Sequence, residues 1–575
     1  MAIENFYQLR AALAMGIQGA FLCPRCPPEL SLDLPRKKKS HQVSFPEETD
    51  SEKGLKARIM TIMKNGKEKS IAAFSLAFFL FIIVKDAWLS DDAYIVFRVV
   101  DNFVHGYGLT WNIDERVQTY TNPLWMFLLS LVYFFTHEIY YSSLVLSITI
   151  SLVAVGLFAV YLARSPLLAA LGIIALAGSK SFVDFSTSGL ENPLTYLLIV
   201  CFMLVFYSGQ RNKNYMFWLA LIAGLATLNR MDSLLLFVPA LIFVLYKFPG
   251  WKSVKALLLG FLPFLCWEVF SLWYYGFLFP NTAYAKLDTG VDSIQLFYQG
   301  IGYFVSSFAF DPLLFIVIGA SIFFLFQQRA WKDLPFLIGM LLYLLYTVKI
   351  GGDFMAGRFL TEPFLIAIIL LVHTSFPVSK SNWTLALAII MLFTIITPNS
   401  RWYPLIRSSL VMDQTGVADE RAFYEDTTLV NAKHLTTLQP GFVLTQEGLQ
   451  ARRSGKHVVV GVSVGFFSFA AGPHVHVVDV FGLSEPFLAR LPARPRWRIG
   501  HFERDFPAGY LETLKSGKNL IQNKDLALYY DKLEYVIRGP LFDVQRLTGI
   551  WKLNIGAYGY LLSNYSHELQ IYNKR

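Results

Sequence analysis

The chain has 575 residues, 54% of them hydrophobic and only 16% charged, against about 25% charged in an ordinary soluble protein. The apolar residues fall in long blocks, which excludes disorder, collagen and coiled coil as the main body and predicts a multi-spanning membrane protein. Four cysteines exclude a disulfide-built scaffold, and the net charge of +9 lies largely beside apolar segments, where the positive-inside rule places it, so no nucleic-acid partner is expected.

Residues 1–70 carry 12 Lys/Arg against 8 Asp/Glu, including the run Arg36-Lys37-Lys38-Lys39. Ala11–Cys23 is weakly apolar, but no small-residue cleavage site follows it, so it is not read as a signal peptide. Cys23-Pro-Arg-Cys26 is a CxxC with no second Cys or His pair nearby, a weak zinc signal. The segment is expected to be a basic, disordered cytoplasmic tail, and Met60 or Met63 is an alternative start.

The first span is predicted over 71–89. Lys56, Arg58, Lys64, Lys67 and Lys69 precede it, so its N-terminal end is expected inside and the loop from Ser90 outside. Later apolar blocks lie near 142–162, 166–178, 193–208, 214–228, 232–247, 255–275, 301–326, 333–350, 359–376 and 382–397. The block 123–136 is short and reads as an interfacial or re-entrant helix. That leaves about eleven spans. Arg164, Arg211, Lys213, Lys247, Lys252, Lys255, Arg329, Lys332 and Lys380 then fall inside, and the C-terminus outside. From about 400 the charge density rises and short β-rich runs appear at His457–Val464 and His474–Val480. The domain reading is therefore a tail over 1–70, a transmembrane catalytic body over 71–400 and an outer soluble α/β domain over 401–575.

In this topology the outer loops collect five polar strings: Ser90-Asp91-Asp92-Ala93-Tyr94, Ser188-Gly189-Leu190-Glu191-Asn192-Pro193, Asn229-Arg230-Met231-Asp232, Pro280-Asn281-Thr282-Ala283-Tyr284-Ala285-Lys286 and Gly351-Gly352-Asp353-Phe354-Met355-Ala356-Gly357-Arg358. Ionisable groups at a membrane edge are costly unless paired or solvated, so their gathering on one face marks a candidate site. Asp91 and Asp92 point about 100° apart on a helix. One is a candidate base, while Ser90 or Asp91 is a natural cap for a helix over Ala93–Val104. Arg358 offers a planar fork and Lys286 a point charge for a lipid phosphate, or an ion pair with Asp353 or another loop carboxylate.

The string DDAYIVFRVVDNFVHGYGLTWNIDERVQTYTNPLW directly after the first span, followed by STSGLENPL, LNRMD, WYYGFLFPNTAYAK and GGDFMAGRFL, resembles the bacterial GT-C membrane glycosyltransferases related to the mycobacterial terminal arabinofuranosyltransferases. Some relatives carry motility-control or lipopolysaccharide labels. The resemblance covers roughly 71–400 and continues through VGFFSFAAG, VVDVFGLSEPFLAR and IGHFERDFPAGY. It implies a GT-C fold and transfer of a sugar, arabinofuranose or another pentose, from a polyprenyl-phosphate carrier to an extracytoplasmic cell-envelope glycan or glycolipid. The family's key acidic residue in the first outer loop maps onto Asp91 or Asp92. Arg230-Met231-Asp232 departs from the family's frequent Arg-Pro-Asp, and the first 70 residues have no counterpart in it.

On this reading Asp92 is the expected general base, with Asp91 second. Arg358 and Lys286 hold the donor phosphate, while Glu191, Asp232, Arg230, Asp353 and Asn281 bind sugar or support the site. No cofactor and no metal ligand set is expected, although an acidic pair accommodates a divalent cation. The expected place is the bacterial inner (plasma) membrane. The competing classes are a flippase for a lipid-linked sugar, which would favour internal repeats the sequence lacks, and a non-catalytic membrane factor affecting motility. The C-terminal domain, with Phe466, Phe467 and Trp497 as core or sugar-stacking aromatics, is expected to govern acceptor use rather than donor chemistry.

Overall fold

The first apolar run forms a helix over Gly66–Lys85. The chain then turns within five residues into a second helix, Asp91–Val104. Ser90 sits in extended backbone and its hydroxyl accepts from Ala93 N at 3.2 Å, so the serine rather than an aspartate caps this helix. The computed structural model describes residues 66–208, 214–373, 380–396, 412–430 and 442–565. Cys23 and Cys26, the basic run at 36–39 and the pair Arg211/Lys213 lie outside the described residues.

Apolar helices make up the body. Two of them, Ile139–Leu162 and Trp331–Lys349, are long and apolar enough to cross a membrane by length and composition. Two bent pairs reach that length together: Trp251–Gly260 with Leu262–Tyr274, bent by 53°, and Ser293–Phe310 with Pro312–Gln327, bent by 105°. Shorter apolar helices include Pro166–Gly178, Asn192–Tyr207 and Tyr215–Asn229. The expected single span over 301–326 is therefore broken. Pro312 opens the second half, and Asp311 before it is extended, as a residue preceding proline prefers. Its buried carboxylate accepts from Ser179 Oγ at 2.6 Å and Ser181 N at 2.9 Å. The block at 123–136 is a helix of 14 residues, Pro123–Thr136. It buries Trp125, Met126 and Leu129 and turns Leu131, Phe134 and Phe135 outward, so one apolar face is available to lipid.

Beyond 400 the described residues hold more helix than strand. The β-rich runs become two short strands, β1 (Val458–Gly461) and β2 (His476–Asp479), paired in parallel with Val458 opposite His476. The helix Val464–Ala471 joins them, because parallel strands need a crossover. Residue 400 marks no packing boundary. Ala418 N donates to Phe354 O at 2.7 Å, Ala356 N to Ala418 O at 3.0 Å and Leu429 N to Ala87 O at 2.9 Å. One continuous apolar core holds Phe79, Trp88 and Tyr94 together with Phe466, Val477 and Phe481. Phe466 is buried and stacked on Tyr94 at 4.0 Å, so it is a core residue.

Arg98 fastens the helix Asp91–Val104 to this later segment. Its guanidinium donates to Trp111 O at 2.7 Å, Ser468 O at 2.6 Å and Val475 O at 2.8 Å, and stacks on Trp111. Arg98→Met strands three buried carbonyls, each worth about 1–3 kcal/mol when left unsatisfied. It should lower the thermal unfolding midpoint of the detergent-solubilised protein by several degrees; an unchanged midpoint would show that these bonds do not hold the two regions together.

Candidate active site

The loop after Phe185 lies directly on the helix Asp91–Val104. Gly189 has φ +79°, and a Cβ there would come within 2.8 Å of Ala93 and Leu89, so only glycine permits the approach. Ser90 N donates to Ser188 O at 3.0 Å and Trp125 Nε1 to Gly189 O at 2.9 Å. These contacts fix Glu191, which is 1% exposed. Its Oε1 accepts from Arg358 Nη2 at 2.9 Å and meets Arg230 Nη1 at 3.4 Å, while Oε2 accepts from Asn122 Nδ2 at 2.9 Å. Burial alone would raise the Glu191 carboxyl, but Arg358 and Arg230 hold it below the usual range.

Arg230 closes a two-pronged fork on Asp232, at 2.8 and 2.9 Å, and lies over the Phe359 ring at 4.1 Å. Met231, where the family often has proline, opens a short 3-10 turn, Met231–Ser233. Ser233 Oγ donates within reach of both Ala226 O and Arg230 O, at 2.8 and 2.7 Å. Arg358 stands 3.6 Å from Asp353 Oδ2, and its Nε has no hydrogen-bond acceptor among the described residues. The glycine turn before it is required: a Cβ on Gly352 (φ +78°) would meet Tyr303 at 2.4 Å.

The two neighbouring aspartates separate completely. Asp91 turns away to the start of the helix Val464–Ala471, accepting from Gly465 N at 2.9 Å and Phe466 N at 2.8 Å. Burial pushes its carboxyl up to about 6 against the pull of these two bonds. Asp92 makes no hydrogen bond or ion pair among the described residues. The cations acting on it are Lys286 first and then Arg358, with Asp353 and Glu191 repelling; burial is the larger influence and raises its carboxyl above the ordinary range. Lys286 is half-buried, has no ion pair among the described residues and lies 5.7 Å from the centre of the Phe354 ring.

Asn281, expected to bind sugar or support the site, is spent on its own loop. Its Nδ2 donates to Gly482 O at 2.8 Å and Leu483 O at 3.0 Å, and its Oδ1 accepts from Arg490 at 3.3 Å, so it latches its loop to the later segment. Three residues of that segment enter the site without having been singled out. Glu420 is buried, with no hydrogen bond to its carboxylate among the described residues. Burial, then Asp92, push it well up. Arg498 lies over Phe354 at 5.5 Å and donates to Gly416 O. His501 packs edge-on against Phe354 and Phe481, and burial with Arg498 and Lys286 lowers its ring to about 3, so it is neutral. The later segment thus shares the charged site, contrary to the expected division between donor and acceptor work. His501 and Arg498 fall in or beside the string IGHFERDFPAGY; Glu420 stands in VADERAFYED, which carried no signal.

These features define a helical membrane protein whose loops gather a charged cluster, in which a carboxylate and an amine have no ion-pair partner among the described residues. In sequence, the chain is 28% identical over 516 residues to a terminal β-(1→2)-arabinofuranosyltransferase of Mycobacterium tuberculosis, covering 73% of this chain and 81% of the relative. It is 25% identical over 505 residues to a terminal β-(1→2)-arabinofuranosyltransferase of Corynebacterium glutamicum, covering 72% of each. The chain is thus similar to terminal β-(1→2)-arabinofuranosyltransferases of two bacteria, the resemblance its loop strings carried. No family model matches it. The solved structure of ArnT from Cupriavidus metallidurans bound to undecaprenyl phosphate aligns with 14% identity and a TM-score of 0.39, covering 72% of this chain and 75% of that one; so slight a likeness carries no argument.

Asp91→Asn and Asp92→Asn should part company in stability. In Asp91→Asn the amide that replaces the carboxylate accepts from only one of the two backbone N–H groups and presents its own N–H to the other. That variant should melt lower, at a cost of about 1–3 kcal/mol, whereas Asp92→Asn should melt like the wild type. Equal midpoints would contradict this assignment.

Proposed function

We propose that the protein transfers a sugar, an arabinofuranose or related pentose, from a polyprenyl-phosphate donor to a hydroxyl of an extracytoplasmic cell-envelope glycan. The observation that carries this reading is Asp92: a partly buried carboxylate without a hydrogen-bond partner among the described residues, in the field of Lys286 and Arg358. An acceptor hydroxyl needs a base within hydrogen-bond reach, and a carboxylate spent on no other group is equipped for that. In the transfer, the acceptor oxygen bonds to the anomeric carbon, the bond from that carbon to the phosphate oxygen breaks, the acceptor proton passes to Asp92, and polyprenyl phosphate departs. Lys286 and the spare Nε of Arg358 neutralise the departing phosphate, with Arg498 adding positive charge beside Phe354. Glu420, kept neutral by its surroundings, has a proton to donate to a sugar hydroxyl. Glu191, Arg230, Asp232 and Asp353 position Arg358.

The apolar outer faces place the protein in a membrane. We assign it the GT-C fold with about eleven spans, several made from short or bent helices, with the first helix entering from the cytoplasm and the 442–565 segment outside. A cysteine introduced at exposed Lys518 should then react with a membrane-impermeant maleimide in intact cells. Labelling only after lysis would overturn the orientation.

Asp92→Asn should bind donor lipid normally and lose transfer by about 10²–10⁴-fold, measured with radiolabelled polyprenyl-phosphate pentose and cell-envelope acceptor. The base must be ionised, so the rate should fall as pH falls through the Asp92 pKa. Because that pKa is raised, the acid limb should lie above the ordinary aspartate value of about 4. Lys286→Gln should lower kcat as well as raise the donor KM, because the amine acts on the charge that grows on the departing phosphate. Near-wild-type transfer by Asp92→Asn would overturn the reading.

A further inference from the structure

A second polar cluster lies apart from Asp92 and Lys286, where the first outer loop meets the strand pair. It holds Asp114 and Glu115 from the loop, His476 at the start of β2 and Glu485 from the turn after β2. One donor atom each from Glu115, His476 and Glu485 lie within 4.8 Å of one another. Glu115 is 4% and Glu485 1% exposed. The outer groups of the cluster are arranged around these three. Asp114 Oδ1 meets His476 Nδ1 at 3.0 Å, which directs the other ring nitrogen, Nε2, inward. Tyr510 donates to Glu485 Oε2 at 2.6 Å. Asn112 donates to Glu115 Oε1 at 3.2 Å. Arg538 meets Asp114 at 3.1 Å and Glu115 Oε2 at 3.5 Å.

Glu485 Oε1 is then left buried without a hydrogen-bond partner, 3.6 Å from His476 Nε2. A hydrogen bond would draw these atoms to about 2.9 Å. Two ligands each about 2.1 Å from one tetrahedral ion stand about 3.4 Å apart. The Asn112 amide also approaches Nε2, at 3.4 Å, but its two hydrogens serve Glu115 Oε1 and Val477 O, and its Oδ1 accepts from Val477 N. His476 Nε2 and Glu485 Oε1 therefore face one another at 3.6 Å with no other described group bridging them.

We propose that Glu115, His476 and Glu485 bind a divalent metal ion, with Zn²⁺ the best match to one imidazole and two carboxylates, and that Asp114 orients the imidazole. The three acidic groups Asp114, Glu115 and Glu485 outnumber the neighbouring guanidinium groups of Arg538 and Arg98 and supply the charge that such an ion balances. The ion is structural. It ties the first outer loop to β2 and to the turn that Asp479 shapes by accepting from Phe481 N, Leu483 N and Ser484 N. It takes no part in transfer, so this site stands or falls apart from the assignment of Asp92. The rival occupant is a proton: an imidazolium bridging Asp114 and Glu485.

The test is the metal content of the full chain purified in detergent without added metal or chelator, followed by removal with chelator and titration with Zn²⁺. The wild type should carry near-stoichiometric divalent metal, lose thermal stability on removal and regain it with Zn²⁺. His476→Gln should carry little metal, and its melting should not respond to Zn²⁺. Should that variant not fold, the wild-type titration alone decides, with Co²⁺ substitution giving a ligand-field spectrum. A metal-free wild type whose melting ignores both chelator and Zn²⁺, or a His476→Gln variant that retains the wild-type metal content, would overturn the site and leave the imidazolium in its place.

Discussion

The charged cluster depends on one buried carboxylate. Glu191 is almost wholly removed from solvent and is met by two arginines and an asparagine. Taking such charges out of water is costly, and the mutual attraction repays it only with close geometry and satisfied lone pairs. The surrounding loops supply that geometry. The glycine at 189 lets the loop close on the helix Asp91–Val104, the fork on Asp232 holds Arg230, and Asp353 stands beside Arg358. Removing Glu191 would leave Arg230 on Asp232 but take from Arg358 its shortest carboxylate contact, leaving only Asp353 at 3.6 Å. What the hub provides is placement: it brings loops near 122, 191, 230 and 358 to one point at the edge of the apolar body.

Placement then sorts the remaining charges by task. Arg230 and Asp232 neutralise each other, and most of Arg358 is spent on Glu191 and Asp353. Asp91 is consumed by two backbone N–H groups of the helix Val464–Ala471. Among the described residues Asp92, one residue on, is left without such a bond, as are the amine of Lys286 and the carboxyl of Glu420. A 100° step along a helix thus gives two adjacent aspartates unlike work: one joins two regions of the chain, the other lies in the field of Lys286 and Arg358.

Much of this was legible in the sequence, and the illegible parts have physical reasons. Loop strings rich in charge and glycine located Asp92, Glu191, Arg230, Lys286, Asp353 and Arg358, because ionisable groups at an apolar edge are conspicuous. The capping rule offered Ser90 or Asp91, and the helix takes Ser90. Asn281 was read as binding sugar or supporting the site; it supports its loop, and nothing local in Pro280–Lys286 reveals that its partners are carbonyls two hundred residues later. Glu420, Arg498 and His501 went unnoticed for the same reason: each is an ordinary residue until long-range packing brings it to Phe354. The single apolar block at 301–326 hid a break, since hydropathy does not record that Asp311-Pro312 turns the helix by 105°. The rise in charge after residue 400 suggested a separate domain, whereas its residues share the core with the first outer loop.

The most direct measurement is an electron cryo-microscopy structure of the protein with a non-reactive phosphonate analogue of a polyprenyl-phosphate pentose. The phosphorus should lie within reach of Lys286 and Arg358, on the side of Phe354 that Arg498 covers, with the anomeric carbon facing Asp92 and no ligand contact to Asp91. An analogue bound with its phosphonate away from Lys286, or with Asp92 beyond the reach of an acceptor hydroxyl at the anomeric carbon, would contradict the placement of the transfer site.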